Sequence, residues 1–242
     1  MTAAEEANRL LKSLRPRDFS LLSDDLKEVS LAPRQVLFEP GKDVDHVHFP
    51  HRGTIAGLVL PLRDGSAAET AMIGYEGAVG GVISEGAKPA FTRIVVQVGG
   101  TASRLPAEVL ENAKQASPSL RDHFARYADC LLAQVMQSVA CNAAHEFDAR
   151  LARWLLSIQD RTGRDELHAT QDFISEMLGV QRSYITRVTS ALERDGAIRK
   201  KRGVIMIEDR RQLEHRACEC YADLQRHFQR LLPGLLSGRV PS

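Results

Sequence analysis

The sequence holds only four cysteines in 242 residues, too few to frame a fold stapled by disulfides. Aromatic residues make up 5% of it, which leaves little for the stacking platforms that grip single-stranded nucleic acid. No apolar run approaches the length of about 18 residues that a membrane-spanning helix needs, so no membrane partner is expected. The N-terminus carries Glu5 and Glu6 and has no basic start ahead of an apolar core. It does not read as a secretory signal, and a cytoplasmic protein is expected. A surplus of charge is also missing: 32 basic against 31 acidic residues leave a formal charge of +1. Charge therefore informs only when it is divided by region. There is no Gly-x-Ser-x-Gly elbow, HExxH or P-loop, and the glycine-rich stretch 74–86 lacks the Lys-Ser/Thr ending of a phosphate loop. The chain is not expected to be an enzyme.

What is present is a composition ordinary for a folded protein of one or two domains, with 43% hydrophobic and 26% charged residues. Leu10, Leu11 and Leu14, then Leu21, Leu22 and Leu26, recur at helical spacing over the first thirty residues, with Pro16 between the groups. Over 32–106 the pattern changes to short β-type runs at 34–39, 46–49, 54–60, 67–73 and 93–98. Pro40-Gly41, Arg52-Gly53, Asp64-Gly65 and Gly99-Gly100 punctuate them as turns. Such spacing predicts an antiparallel roll or sandwich. Ser117-Pro118 then opens a helix of about six turns, because Ser caps well and Pro suits the first helical position. Its apolar residues, including Leu120, Phe124, Leu131, Val135 and Val139, form a stripe that needs a partner surface. A second copy of the chain is an economical partner, so these five are candidate dimer-interface residues.

The most informative stretch is 170–198. Thr170 is a candidate N-cap, and Phe173, Ile174, Met177 and Leu178 give an apolar face over two turns. Gly179 permits a tight turn. Gln181 or Arg182 starts a second helix with Ile185, Val188 and Leu192 facing inward. A short helix, a glycine turn and a second helix with polar first turns predict a helix-turn-helix, whose second helix fits the major groove. Gln181, Arg182, Ser183, Tyr184, Thr186 and Arg187 are then candidate DNA-binding residues. Tyr184 has two readings, approach to a phosphate or packing back. Next come Ile198, the basic turn Arg199, Lys200, Lys201, Arg202, and the β-branched run 204–207. They predict a hairpin wing along the phosphates. Residues 194–211 carry seven basic and three acidic side chains, which concentrates positive charge in an otherwise balanced chain.

These segments, with RLARWLL at 150–156 and CECY at 218–221, resemble the Crp–Fnr family of bacterial transcription regulators. The FEPG at 38–41 and IGYEGAVG at 73–80 are similar to that family's cyclic-nucleotide-binding-type β-roll. The resemblance implies an α+β fold: an N-terminal antiparallel, jelly-roll-like β-roll sensor domain (1–116), a dimerisation helix (117–144) and a C-terminal winged helix-turn-helix DNA-binding domain (145–242). It implies a homodimer on palindromic double-stranded DNA, with RNA polymerase a further candidate partner. It also implies that Arg182, Ser183 and Arg187 occupy base-reading positions. The family's phosphate cassette has a Gly-Glu pair and an Arg followed by a small hydroxyl residue and Ala. Here Glu76 precedes Gly77, and Ile94 and Val95 follow Arg93. The sequence thus argues against cyclic AMP, and no cofactor is expected, although Glu69, Glu76 and Arg93 are the candidate effector-binding residues.

Other readings remain. The family's iron–sulfur sensors place cysteines near the N-terminus, and this chain has none before Cys130. Cys130, Cys141, Cys218 and Cys220 read as small buried hydrophobes, with a thiol redox switch as an alternative. Cys141 and His145 have i, i+4 spacing, His215 precedes Cys218 and Cys220, and His46, His48 and His51 cluster. None of these completes a zinc pattern, and no metal site is expected. A non-DNA β-roll that binds a ligand or RNA is the alternative from a different class. Residues after Pro233 read as a frayed tail.

Overall fold

The computed structural model describes residues 4, 7–63, 67–82 and 88–236. Asn8 caps the first helix, α1 (Arg9–Lys12), by accepting from the Leu11 N–H, and Pro16 occupies the first turn of α2 (Pro16–Ser20). Seven strands follow as two antiparallel sheets: β1 (Lys27–Leu31), β2 (Val36–Phe38), β3 (His46–Pro50), β4 (Ile55–Pro61), β5 (Ala67–Ile73), β6 (Arg93–Val98) and β7 (Gly100–Pro106). One sheet has the order β1-β7-β3 and the other β2-β6-β4-β5. Phe38, Val44, Ala56, Ile73, Val79 and Ile94 fill the space behind the second sheet.

Two strands depart from the sequence reading. β1 lies within the stretch read as helical, and β7 starts at the glycine pair read as a turn. The two pair with each other, Leu31 opposite Gly100, and bury Leu31 and Ala102 beside Val96. Each shows too few alternations to reveal a period of two, so only the pairing exposes them. The Asp64-Gly65 hairpin signal lies outside the described residues, but the strands flanking it pair antiparallel with Pro61 opposite Ala67.

After α3 (Ala107–Ala116), Ser117 accepts from the Leu120 N–H and starts α4 (Pro118–Ala144), 27 residues long. This helix lies against the roll. The Tyr127 hydroxyl accepts from the Ala78 N–H at 3.0 Å, and Gln134 donates to the Met72 carbonyl at 3.1 Å. The expected dimer stripe is corrected here. Leu120 and Phe124 are buried within their own protomer with Leu10, Leu110 and Phe228, and Leu131 packs partly against the roll. Val135 is half-buried. The exposed apolar edge consists of Leu132 (52%), Met136 (61%) and Val139 (65%). The helix carries apolar residues on two faces, and a spacing argument merged them into one.

The C-terminal half begins with α5 (Phe147–Thr162), which ends at a left-handed Gly163. Then come β8 (Glu166–Leu167), α6 (Gln171–Leu178), α7 (Arg182–Arg194), β9 (Ile198–Lys201), β10 (Val204–Ile207), α8 (Arg210–Arg216) and α9 (Cys220–Leu231). β8, β10 and β9 form a small antiparallel sheet. α9 returns to α4, and Leu224, Phe228 and Leu232 enter the N-terminal core. The frayed tail is likewise corrected as far as residue 236. Leu235 and Leu236 are buried in that core, and Arg9 donates to the Leu235 carbonyl at 3.2 Å. The closing residues 237–242 lie outside the described part.

Candidate nucleic-acid interface

Thr170 caps α6 by accepting from the Phe173 N–H at 3.2 Å. Gly179 ends the helix at φ +65°, a conformation costly for any residue with a Cβ. The Ser175 hydroxyl donates to the Val180 carbonyl and closes the corner. α7 then buries Ile185, Val188 and Leu192 against Trp154, Leu155 and Ile174 of the same core. The opposite face is left in solvent, with Gln181, Arg182, Ser183, Thr186 and Arg187 all exposed.

These side chains are held to different degrees. Arg182 pairs with Asp172 across the turn. The Thr186 hydroxyl donates to the Arg182 carbonyl at 3.0 Å, a bond spent inside the helix. Tyr184 packs back: its ring lies 5.1 Å from that of Phe147, centroid to centroid. The Arg187 guanidinium carbon sits 4.2 Å above the Tyr184 ring. Tyr184 therefore acts as a platform that orients Arg187.

The wing is the hairpin of β9 and β10, with Lys201 opposite Val204. Its cations divide into two sets. Arg199 pairs with Glu208, and Lys200 reaches Glu193 at 3.1 Å and the Ser190 hydroxyl at 2.8 Å. Lys201 and Arg202, at the turn, are exposed and form no ion pair among the described residues. A groove of about 630 Å³ separates this turn from α6 and α7, with Thr170, Asp172, Arg182 and Thr189 on its floor and sides.

The three candidate effector residues do not meet. Glu76 is buried in an ion pair with Arg161 at 3.0 Å and also accepts from the Gly74 N–H. Burial pushes its carboxyl above the ordinary range, and Arg161 opposes the rise. Arg93 points away from the roll interior and pairs with Glu39 at 2.9 Å, beside a cleft of about 710 Å³ between the second sheet and α6. Glu69 accepts from the Trp154 indole N–H at 3.2 Å and from the Gln97 amide. Burial pushes its carboxyl up to about 7. The phosphate of a cyclic nucleotide requires an arginine and backbone amides facing one point. Arg93 and Glu76 are spent on other partners, so these residues do not fit that ligand.

The histidine cluster also separates. The His51 ring bonds to the hydroxyls of Thr101 and Ser103, both at 2.8 Å, and burial drives His48 down to about 4. The reading of the cysteines as inert hydrophobes holds for Cys130, packed in the N-terminal core. The other three are buried as well, in a cluster of their own. Cys141, Cys218 and Cys220 converge with His145, all four donor atoms within 4.8 Å of one another. His215 is not among them. Both ends of this set were visible in the sequence, but a spacing of 77 residues between Cys141 and Cys218 hid their meeting.

Residues 149–216 match the family model described as a Crp-like helix-turn-helix domain. No curated protein sequence matches the chain. A putative transcriptional regulator of the Crp/Fnr family from Eubacterium rectale superposes with a TM-score of 0.62 at 20% identity, covering 90% of this chain and 97% of that one. FixK2 from Bradyrhizobium japonicum superposes at 0.68 with 15% identity over 80% of this chain and 98% of its own. The c-di-GMP-responsive global regulator CLP of Xanthomonas campestris does so at 0.61 with 14% identity over 80% and 99%. The chain thus carries a Crp-like helix-turn-helix domain and has the fold of the Crp/Fnr-family transcriptional regulators.

Proposed function

We propose that this protein is a sequence-specific regulator of transcription that binds double-stranded DNA as a homodimer. The observation that carries the reading is the pairing of two exposed surfaces. One is the polar face of α7, with Arg187 oriented by Tyr184. The other is a wing turn whose Lys201 and Arg202 are exposed and form no ion pair among the described residues. The first suits base edges in the major groove, where an arginine bonds bidentately to guanine. The second suits phosphates on either side. The exposed edge of Leu132, Met136 and Val139 supports a dimer about α4. Two such α7 helices would enter successive major grooves about 34 Å apart, so the operator is an inverted repeat. RNA polymerase is the candidate partner of the DNA-bound dimer, in the cytoplasm. No catalytic role is assigned, and no helix of the described chain is long and apolar enough to cross a membrane.

The test is to mix the purified protein, without added ligand, with fragmented genomic DNA at about 0.15 M salt, then to sequence what is retained. Enrichment of an inverted repeat with half-sites one helical turn apart is expected. Retention that ignores sequence, or a preference for RNA or single strands, would overturn the reading.

A further inference from the structure

We propose that Cys141, His145, Cys218 and Cys220 hold a single Zn²⁺ ion in a tetrahedral site where α4 meets the start of α9. The four donors come from two short pairs. Cys141 and His145 lie one turn apart at the end of α4, and Cys218 and Cys220 flank Glu219, the N-cap of α9, with Cys220 the first residue of that helix. Cys141 Sγ is 3.5 Å from Cys218 Sγ, Cys220 Sγ is 3.4 Å from His145 Nδ1, and no two donors are more than 4.8 Å apart. Zinc bonds of about 2.3 Å to sulfur and about 2.0 Å to nitrogen put neighbouring ligand atoms of a three-sulfur, one-nitrogen site about 3.5–3.8 Å apart in a tetrahedron. Small side-chain adjustments therefore suffice. An iron–sulfur cluster places its own irons and sulfides between the thiolates and needs them farther apart.

Three further features point the same way. The donor set, three cysteines and one histidine, is the closed type used for structural zinc. His145 Nε2 lies 3.1 Å from a Glu219 carboxylate oxygen. With the Nε2 proton donated there, Nδ1 turns its lone pair toward the sulfurs, as in the carboxylate–histidine–metal arrangements that orient ligands. Finally, Zn²⁺ displaces the thiol protons, and three thiolates with one divalent ion leave a site of charge −1. Arg150 and Arg153 lie on the adjoining turns of α5, and the Nε of each is buried without a hydrogen-bond acceptor among the described residues. Their charge suits a thiolate site rather than three neutral thiols. The sites used by zinc fingers pair cysteines two to four residues apart, whereas here the spacing is Cys-x-Cys, so no familiar pattern marks it.

The experiment uses the full chain, purified under reducing conditions and dialysed without chelator. Elemental analysis is expected to find one zinc per chain. Replacement by Co²⁺ is expected to give the visible d–d and thiolate charge-transfer bands of a tetrahedral site. Cys218→Ser with Cys220→Ser should lose both signals, and Cys130→Ser should keep them. Because cysteine variants can fail to fold, Glu219→Gln on the exposed side of His145 provides a second measurement. It should weaken zinc binding about 10–100-fold, with an unchanged far-ultraviolet spectrum. Absence of bound zinc together with no tetrahedral cobalt bands would overturn the proposal. So would iron with acid-labile sulfide. An unchanged affinity in Glu219→Gln would remove His145 from the ligand set. None of these outcomes depends on DNA binding.

Discussion

Arg161 of α5 and Glu76 of the roll form an ion pair with both side chains almost wholly out of water, 1% and 3% exposed, at 3.0 Å. The same guanidinium donates to the Met72 carbonyl, the Ser157 carbonyl and the Gln134 side chain. One residue of the C-terminal half thus bonds to a strand end, to a loop and to the long helix at once. Removing one partner of such a pair strands a charge in the interior, at a cost of about 3–5 kcal/mol.

Glu76→Ala is therefore expected to destabilise the protein by about that amount, read as a lower urea midpoint. Arg161→Met alone should be similarly damaging, and the double variant less so than the two losses added. Strict additivity would show that the two residues do not share one interaction.

Glu69 makes stability depend on pH. Its carboxyl is raised by burial from an ordinary 4.5 to about 7. The folded protein thus holds this proton over a range in which the unfolded chain has released it. The resulting stabilisation is present in full below pH about 4.5 and disappears as pH rises through about 7. Glu69→Gln keeps a neutral acceptor for Trp154, and the stability curve should flatten across that window. An undiminished slope would assign the dependence to another group.

On DNA, Arg187→Ala should cost about 1–3 kcal/mol on the operator and much less on random duplex. Lys201→Ala and Arg202→Ala should weaken both alike, each lowering the slope of log K against log salt by about 0.9. Lys200→Ala should change the slope less, since its ammonium is held by Glu193 and Ser190. Binding titrations at four salt concentrations separate the cases, and equal slopes for all three variants would contradict the division of the wing cations.

Val139→Glu on the exposed edge of α4 should shift the protein from dimer to monomer in sedimentation and leave its fold intact. Leu120→Ala instead removes a side chain buried within the protomer, and it should cost about 2–5 kcal/mol of stability. A dimer unaffected by Val139→Glu would place the interface elsewhere.

The parts legible in the sequence are those fixed by neighbours in the chain. Thr170, Gly179, Ile185, Val188 and Leu192 each act within a turn or two, and capping, handedness and helical period suffice to read them. The remainder depends on partners brought close only by folding. Glu76 and Arg161 are 85 positions apart, Glu69 and Trp154 also 85, and Cys141 and Cys218 77. Glu76 looked like a ligand group because its partner could not be seen. Lys200 and Lys201 look equivalent in sequence, and only the position of Glu193 separates them.

The return of α9 to α4 governs how the winged domain can move. That domain leaves the body of the protein at residues 145–146 and rejoins it at 217–219, and both crossings lie together, as the contact of Cys141 with Cys218 shows. A body tethered by a single strand can swing and drift. One tethered by two neighbouring strands turns chiefly about a short pivot through them, and its far end sweeps an arc. Arg161 and Trp154, bonded to Glu76 and Glu69 of the roll, close a further connection away from that pivot, so a rotation that carries α7 and the wing, the proposed DNA surface, has to break those buried bonds first.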